Sequence, residues 1–166
     1  KHSGAKVVEE PFTGKKVALV PAINPDVAII HVNQCDVYGN ARVYGPSITP
    51  LETAAASKNV ILSTEEIIST DEIKKDPGKT TIPYYMVNAV VVAPYGAHPG
   101  TVPGYYSYDS EHLEEFFACG SLEDLGEYID KYVHSISGHE DYMEMVGGEA
   151  RMKELKELEW IKEGYY

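Results

Sequence analysis

Four short runs of apolar residues divide the first part of the chain. They lie at residues 16–22, 26–32, 59–63 and 87–93, and each is rich in Val, Ile or Ala with little polar interruption. Runs of this length and composition are typical of strands that are buried on both faces of a parallel sheet. Residues 64–69 either continue the third strand or begin a helical turn, and the sequence leaves both open.

Turn and helix signals separate these runs. Gly39 and Asn40 tolerate the positive φ of a tight turn, which predicts a hairpin across that pair. Further along, Thr49, Pro50 and Glu52 form the pattern of a capping box with proline at the first helical position. The sequence therefore predicts a helix that starts directly after Thr49.

From Ser110 onward the apolar residues recur at helical spacing. The pattern predicts helices over residues 110–118 and 122–136 and two more beyond them, the last over residues 149–160; a short one precedes them at residues 71–75. Strands that alternate with helices and then give way to a helical tail indicate an α/β fold, a largely parallel sheet flanked by helices. We expect one domain over residues 1–166, with a strand-rich part at 1–109 and a helical part at 110–166.

Composition and charge exclude several classes of function. The chain has 26 acidic and 14 basic residues and a formal net charge of −12, so its field opposes binding to nucleic acid. It has no apolar run of about 18 residues, so we expect no membrane contact. Cys35 and Cys119 follow no metal-ligand spacing, which favours reduced thiols and a cytoplasmic location. Because the sequence begins with Lys1 rather than Met, we expect a fragment or a processed chain.

The segment with the strongest functional signal follows the fourth apolar run. Residues 94–109, which we call the tyrosine loop, change abruptly from strand-like residues to Pro, Gly, a histidine and several tyrosines. Loops at the carboxyl ends of strands are where α/β sheets bind ligands. We therefore predict that the substrate contacts Tyr95, Gly96, His98, Gly100, Tyr105 and Tyr108. We assign no catalytic residue and no metal ligand in this chain.

Each of these residues also has a structural interpretation. His98 would donate a hydrogen bond to a ligand oxygen, or else satisfy buried carbonyl groups of the loop. The tyrosines would wall a ligand pocket or form a subunit-interface patch. Asp109 before Ser110 is better explained as a helix cap than as a catalytic acid.

The remaining polar residues favour structural roles. His31 is predicted to be a hydrogen-bonded core histidine or a strand-end contact rather than a ligand. Glu65 and Glu66 should point to opposite faces of a strand, so that one of them, but not the pair, could serve a site. Three polar residues after the second run are predicted to hold the following turn: Asn33, Gln34 and Asp36. No pattern typical of metal ligands or of a phosphate-binding glycine loop is present, and His134, His139 and Glu140 are too loosely spaced for a metal site.

Two segments carry a family resemblance. Residues 25–45 resemble the strand and turn of family I coenzyme A transferases, in which a Cys-Asp or Ala-Asp pair, here Cys35-Asp36, is followed by Gly-Asn. The second segment resembles A subunits of the glutaconate CoA-transferase type and comprises residues 65–69, 71–77, 82–83 and 90–99 with Tyr105, Tyr108 and Asp109. The resemblance extends from about Pro11 to the helical tail.

The resemblance implies a fold, an activity and partners. It implies the open α/β sandwich of CoA transferases and the carboxyl-terminal half of an A subunit that works with its own first half and with a B subunit. Known members move CoA between an acyl-CoA and a carboxylic acid through a glutamyl-CoA thioester, and in the glutaconate type the glutamate belongs to B. CoA is then a substrate, and no permanently bound cofactor is expected. A related branch that opens rings of CoA-linked steroid catabolites by hydrolysis stays open, as does a non-catalytic assembly role.

Overall fold

The structure, a computed structural model, describes residues 4–46 and 48–159 of the 166-residue chain. The strands are β1 (Lys6–Glu9), β2 (Lys16–Leu19), β3 (Val27–Cys35), β4 (Ala41–Arg42), β5 (Asn59–Ile67) and β6 (Ala89–Val92). The α-helices are α1 (Pro50–Ala56), α2 (Thr70–Lys75), α3 (Ser110–Ala118), α4 (Leu122–Ile129), α5 (His139–Met145) and α6 (Gly148–Leu158). Short 3₁₀ turns lie at Pro77–Lys79 and Tyr84–Met86, and a π-helical turn at Asp130–His134 extends α4.

The main sheet has the strand order β4-β3-β5-β6. Strands β3, β5 and β6 are parallel, and His31 lies directly opposite Ser63 in the β3–β5 register. Strand β4 pairs antiparallel with β3 through the predicted turn, in which Gly39 has a φ of +94°. The α/β class and the largely parallel sheet are confirmed, and residues 64–67 continue β5 rather than beginning a helix.

The core lies on one face of this sheet. Ile30 and Val32 of β3 and Val60 and Leu62 of β5 are buried there together with Ala54 of α1. Much of the opposite face is open: Val27, Ile29 and Val91 are 49%, 76% and 50% exposed. The prediction that these strands are buried on both faces is therefore wrong for the described chain, because no described layer covers these residues.

The first apolar run does not join the main parallel sheet. Residues 16–19 form β2, which pairs antiparallel with β1 in a separate two-stranded sheet. Both strands are largely exposed, with Val7 at 71% and Leu19 at 53%. The predicted buried strand at residues 16–22 is thus a shorter hairpin strand. A short apolar run fits either environment, and its pairing decides which one it occupies.

The helix ends follow local chemistry with one exception. The Asp109 side chain accepts a hydrogen bond from the backbone N–H of His112 and so caps α3, as predicted. Pro50 occupies the start of α1, but Thr49 lies in the left-handed region with a φ of 57° and makes no side-chain cap bond, so the capping box predicted there is wrong. The last helix ends at Leu158, and the predicted end at Trp160 lies outside the described residues.

Candidate functional site

The tyrosine loop leaves β6 at the carboxyl end of the parallel strands. The ends of β3 and β5 lie at the same edge, since the three strands run in the same direction. Asn33 near the end of β3 connects this edge to the loop, because its side-chain amide donates to the carbonyl oxygen of Pro103 at 2.9 Å. The prediction of a loop at the strand ends therefore holds in three dimensions, and polar residues of two strands contact it.

Glu65 binds the tyrosine loop at two points. One carboxylate oxygen accepts from the backbone N–H of Tyr95 at 2.7 Å, and the other accepts from the phenol of Tyr106 at 2.9 Å. The phenol oxygen of Tyr106, a fully buried residue, in turn accepts from the N–H of Ala97 at 3.1 Å. The Glu65 side chain is only 3% exposed, so this carboxylate lies inside the protein rather than at its surface.

A histidine and a serine extend this group of hydrogen bonds across the sheet. Nε2 of His31 lies 2.6 Å from Oε1 of Glu65, and Nδ1 lies 2.8 Å from Oγ of Ser63. An ionised carboxylate only accepts, so Nε2 carries the proton; in the neutral ring Nδ1 then accepts from the serine hydroxyl. His31 is thus a hydrogen-bonded histidine, as predicted, but it lies in the middle of β3 on the face opposite the core.

Gly96 permits the loop to approach this histidine. A Cβ atom added at Gly96 would lie 2.9 Å from Cε1 of His31 and 2.7 Å from the carbonyl oxygen of Ala93. Both distances are shorter than a Cβ atom tolerates, so a side chain at position 96 would displace the loop from β3. The same holds within the loop at Gly100, where an added Cβ would lie 2.9 Å from the carbonyl oxygen of Ala97.

Glu66 binds the loop from the other side of β5. Its Oε2 accepts from the phenol of Tyr105 at 2.9 Å and from the side-chain amide of Gln34 at 2.9 Å. The Gln34 carbonyl oxygen accepts from the Tyr44 phenol at 2.6 Å. Burial and the carboxylate Glu66 raise the pKa of Tyr105, so its phenol stays protonated and donates. The two glutamates do point to opposite faces, and each one holds a tyrosine of the same loop.

His98 lies in a separate, buried group. Its side chain has no exposed surface. Nδ1 lies 2.8 Å from the phenol oxygen of Tyr142, and Nε2 lies 3.2 Å from Oδ2 of Asp109. Both ring nitrogens are therefore occupied within the chain. Burial lowers the pKa of His98, while the Asp109 carboxylate acts in the opposite direction, and the net direction is downward.

Asp109 is the centre of this second group. Nε and Nη2 of Arg151 donate to its two oxygens at 3.0 and 2.7 Å, while His98 and the α3 cap use the same carboxylate. The hydrogen bonds from Arg151 hold the pKa of Asp109 well below its usual range, against the opposing effect of burial. This carboxylate thus ties the tyrosine loop to α3 and α6. The prediction of a cap rather than a catalytic acid is confirmed.

These shifts predict how stability depends on pH. Burial lowers the pKa of His98 and of His112 below the ordinary value of 6.5. The unfolded chain therefore binds more protons than the folded chain as the pH falls below about 6.5, so stability is complete above that pH and is lost on acidification. We expect urea titrations between pH 7.5 and 5.5 to show a falling free energy of unfolding, with a smaller slope for His98→Gln. A free energy of unfolding that stays constant or rises as the pH falls would contradict the prediction.

The structure brings together some of the predicted site residues and separates others. Tyr95 and Tyr105 lie beside the carboxyl ends of β3 and β5, because they are hydrogen-bonded to Glu65 and Glu66. Tyr108, in contrast, is 54% exposed, and His98 is buried in the second group. The sequence pattern did not connect Glu65 to the loop. The two lie some 30 to 41 positions apart in sequence, and no local signal marks such a pair.

A cleft opens beside Tyr95. It has a volume of about 1030 Å³ and lies between the start of the tyrosine loop and helices α5 and α6. Tyr95 forms part of its wall and has a φ of 61°. The centre of its ring lies 5.1 Å from that of Tyr106 and 5.2 Å from the ammonium group of Lys156. Its other lining residues include Met143, Met152 and Lys153. The tyrosine loop thus borders an open space large enough for a small ligand.

The other polar candidates have structural partners. Asp36 accepts from the N–H groups of Tyr38 and Asn40 and so holds the turn, as predicted. His134 contacts Asp130, and His139 contacts the carbonyl oxygen of Pro94. Within residues 4–46 and 48–159 no cluster of His, Cys, Asp and Glu has the geometry of a metal site. No helix in the same part of the chain is long and apolar enough to cross a membrane.

Comparison with known proteins gives a consistent set of relatives. An uncharacterized protein of Archaeoglobus fulgidus is 43% identical over 98% of this chain and 37% of its own length. The A subunit of the glutaconate CoA-transferase of Acidaminococcus fermentans is 39% identical over 91% of this chain and 48% of its length. The IpdA subunit of the cholesterol ring-cleaving hydrolase of Mycobacterium tuberculosis is 35% identical over 76% of this chain and 44% of its length.

Structure and family comparisons agree with these relatives. The crystal structure of the glutaconate CoA-transferase of Acidaminococcus fermentans matches 92% of this chain and 48% of that chain with a TM-score of 0.85 and 38% identity. The chain thus spans about half the length of the relatives it matches. The family model for coenzyme A transferase matches residues 3–93, which include the parallel strands and end where the tyrosine loop begins. The chain therefore belongs to the coenzyme A transferase family.

Proposed function

We propose that this chain is part of the A subunit of an enzyme that moves CoA between an acyl-CoA and a carboxylic acid. The observation that carries the proposal is the match to the glutaconate CoA-transferase A subunit over 91% of this chain, tyrosine loop included. The family resemblance assigns the nucleophilic glutamate to a partner B subunit. That glutamate attacks the acyl carbonyl of acyl-CoA and releases CoA thiolate, which leaves a mixed anhydride. The thiolate then attacks the glutamyl carbonyl, which forms the glutamyl-CoA thioester and releases the carboxylate of the acyl group. The two described glutamates at the site, Glu65 and Glu66, already hold tyrosines within this chain.

The tyrosine loop would form the A-side wall of the acyl pocket. Tyr95 borders the open cleft, and the ring of Tyr105 lies at the strand ends with its phenol donating to Glu66, so both rings suit the wall of an acyl pocket. Tyr108, with 54% of its surface exposed, would face the partner subunit or the acyl group. Gly96 keeps the loop close to the sheet, Gly100 permits a close approach within the loop, and the buried His98 would act by positioning the loop.

The open face of the sheet supports the proposed partners. Val27, Ile29 and Val91 present neighbouring apolar side chains to solvent, and an exposed apolar patch is typical of an interface. We propose that the remaining half of the A subunit covers it and that the B subunit completes the pocket. CoA would enter as a substrate with the acyl group, and no resident cofactor is assigned. The free thiols Cys35 and Cys119 agree with a cytoplasmic location.

Trapping the thioester tests this function. We expect that incubation of the complete A/B complex with an acyl-CoA and then with borohydride abolishes transferase activity, because the thioester is reduced on the enzyme. Mass spectrometry of peptides should find the modification on a B-subunit glutamate and nowhere in this chain. Borohydride without acyl-CoA is the matched control and should leave the activity intact.

The same experiment separates the alternatives. Release of free CoA without an adduct would indicate hydrolysis of the thioester, and a substrate opened at a ring with its CoA retained would favour the ring cleavage named for the relative that is 35% identical. Neither an adduct nor CoA release, from a complex that still assembles, would favour a non-catalytic assembly role. Either result would contradict the proposed transfer.

A further inference from the structure

We propose that Glu65 is the positioning residue that fixes the tyrosine loop, with His31 as a third hydrogen-bond donor to its buried carboxylate. The inference deepens the proposed function and rests on it, since the loop is the proposed wall of the acyl pocket. Its physical basis is independent of the reaction: one buried carboxylate binds two distant points of one loop.

The two loop contacts of Glu65 lie where the loop needs support. Tyr95 holds a φ of 61°, a left-handed conformation that costs free energy in a residue with a side chain. Its N–H bond to Glu65, at 2.7 Å, stabilises that conformation and points the ring into the cleft wall. The second contact, from the Tyr106 phenol, fixes the ring that packs against Tyr95 at 5.1 Å. Loss of the carboxylate therefore releases both neighbouring rings together.

His31 makes the buried carboxylate tolerable. A carboxylate that is 3% exposed is costly unless it is paired and hydrogen-bonded. Nε2 of His31 lies 2.6 Å from Oε1 of Glu65 and donates a hydrogen bond to it. Burial together with the nearby Glu65 carboxylate raises the pKa of Tyr106, so the phenol donates to Glu65 and takes no charge of its own. Glu65 thus meets three donors, from His31, Tyr95 and Tyr106.

The three hydrogen-bond donors around position 65 require a side chain that only accepts hydrogen bonds. Glu65→Gln keeps the shape but turns an N–H₂ group towards at least one donor, so at least one of these hydrogen bonds is lost. The backbone N–H of Tyr95 cannot change its role, and the Tyr106 phenol already accepts from Ala97. His31 can change tautomer, because Nδ1–H can donate to Ser63 while Nε2 accepts. The substitution therefore loosens the loop without unfolding the sheet.

The test uses the complete A/B complex. Amide hydrogen exchange followed by mass spectrometry compares wild type, Glu65→Gln and the exposed control Glu52→Gln. We expect faster exchange in residues 94–106 for Glu65→Gln alone, with β3 and β5 as protected as in wild type. In steady-state assays we expect KM for the acyl-CoA to rise about tenfold while kcat changes by less than about threefold, because the loop binds substrate without touching the reacting bond.

Each outcome decides the proposal. Unchanged exchange in residues 94–106 would overturn it, and so would faster exchange spread evenly over loop and sheet, which indicates a general role in folding. If Glu65→Gln does not yield a folded complex, Tyr106→Phe removes one loop contact while leaving the carboxylate in place, and the same localised exchange is expected. If wild type shows no transfer of CoA, the proposed function fails, but the exchange comparison still decides the role of Glu65.

Discussion

Asp109→Ala is expected to lower the free energy of unfolding by about 3 to 5 kcal/mol, the range seen when one partner of a buried ion pair is removed. The carboxylate binds two nitrogens of Arg151, which is 19% exposed, lies beside Nε2 of the buried His98 and caps α3. Its removal takes the buried partner from Nε and Nη2 of Arg151, which keeps the exposed Glu154 and Glu111. It also leaves the N–H groups of the His98 ring and the His112 backbone without this acceptor. Urea unfolding at pH 7 measures the change.

Glu111→Ala is the matched control for this prediction. Glu111 also faces Arg151, at 3.5 Å, but its side chain is 81% exposed. Solvent screens such a pair, so we expect the free energy of unfolding to change by less than about 1 kcal/mol. Similar losses for both variants would contradict the assignment of Asp109 as the buried centre of this group.

Leu62→Ala is expected to cost about 2 to 5 kcal/mol of stability, because the side chain fills a central place in the core. Leu62 lies on β5 between two parallel strands and has no exposed surface. The truncation removes apolar contacts and leaves a cavity that the rigid neighbours Ile30 and Val60 do not fill. The free energy of unfolding of the 166-residue chain measures the loss.

Ile29→Ala provides the comparison on the opposite face. Ile29 is 76% exposed, so in this chain alone the same kind of truncation should change stability by less than about 0.5 kcal/mol. In the complete A subunit we expect a larger loss, because the remaining half is proposed to cover this face. Equal losses for Leu62→Ala and Ile29→Ala in the isolated chain would contradict the one-sided core.

The sequence predicted the features that depend on neighbouring residues. The Gly39-Asn40 turn, the proline at the start of α1 and the Asp109 cap each need only residues within a few positions, and the structure has all three. The resemblance carried by the segments around Cys35-Asp36 and residues 90–99 predicted the family, which the comparisons confirm. At the site, the sequence indicated the loop and the opposite directions of Glu65 and Glu66.

The sequence did not predict the contacts between residues that lie far apart along the chain. The capping pattern at Thr49 failed because the chain enters α1 in a left-handed conformation that pattern alone does not encode. The apolar run at residues 16–22 did not reveal β1 as its partner, since pairing depends on segments that meet only in the folded chain. His98, central in the loop, is satisfied by Tyr142 from a helix 44 positions away.

What the sequence by itself determined was therefore the order of the strands and helices, the class of fold, the family and the loop where a site should lie. These follow from apolar periodicity, turn chemistry and short motifs, all of which act over a few residues. The tertiary structure alone decided that Glu65 and Glu66 hold the tyrosine loop from opposite faces, that His98 is buried, and that much of one face of the sheet is open. Burial and hydrogen-bond partners are properties of packed layers, and they exist only when distant parts of the chain come together.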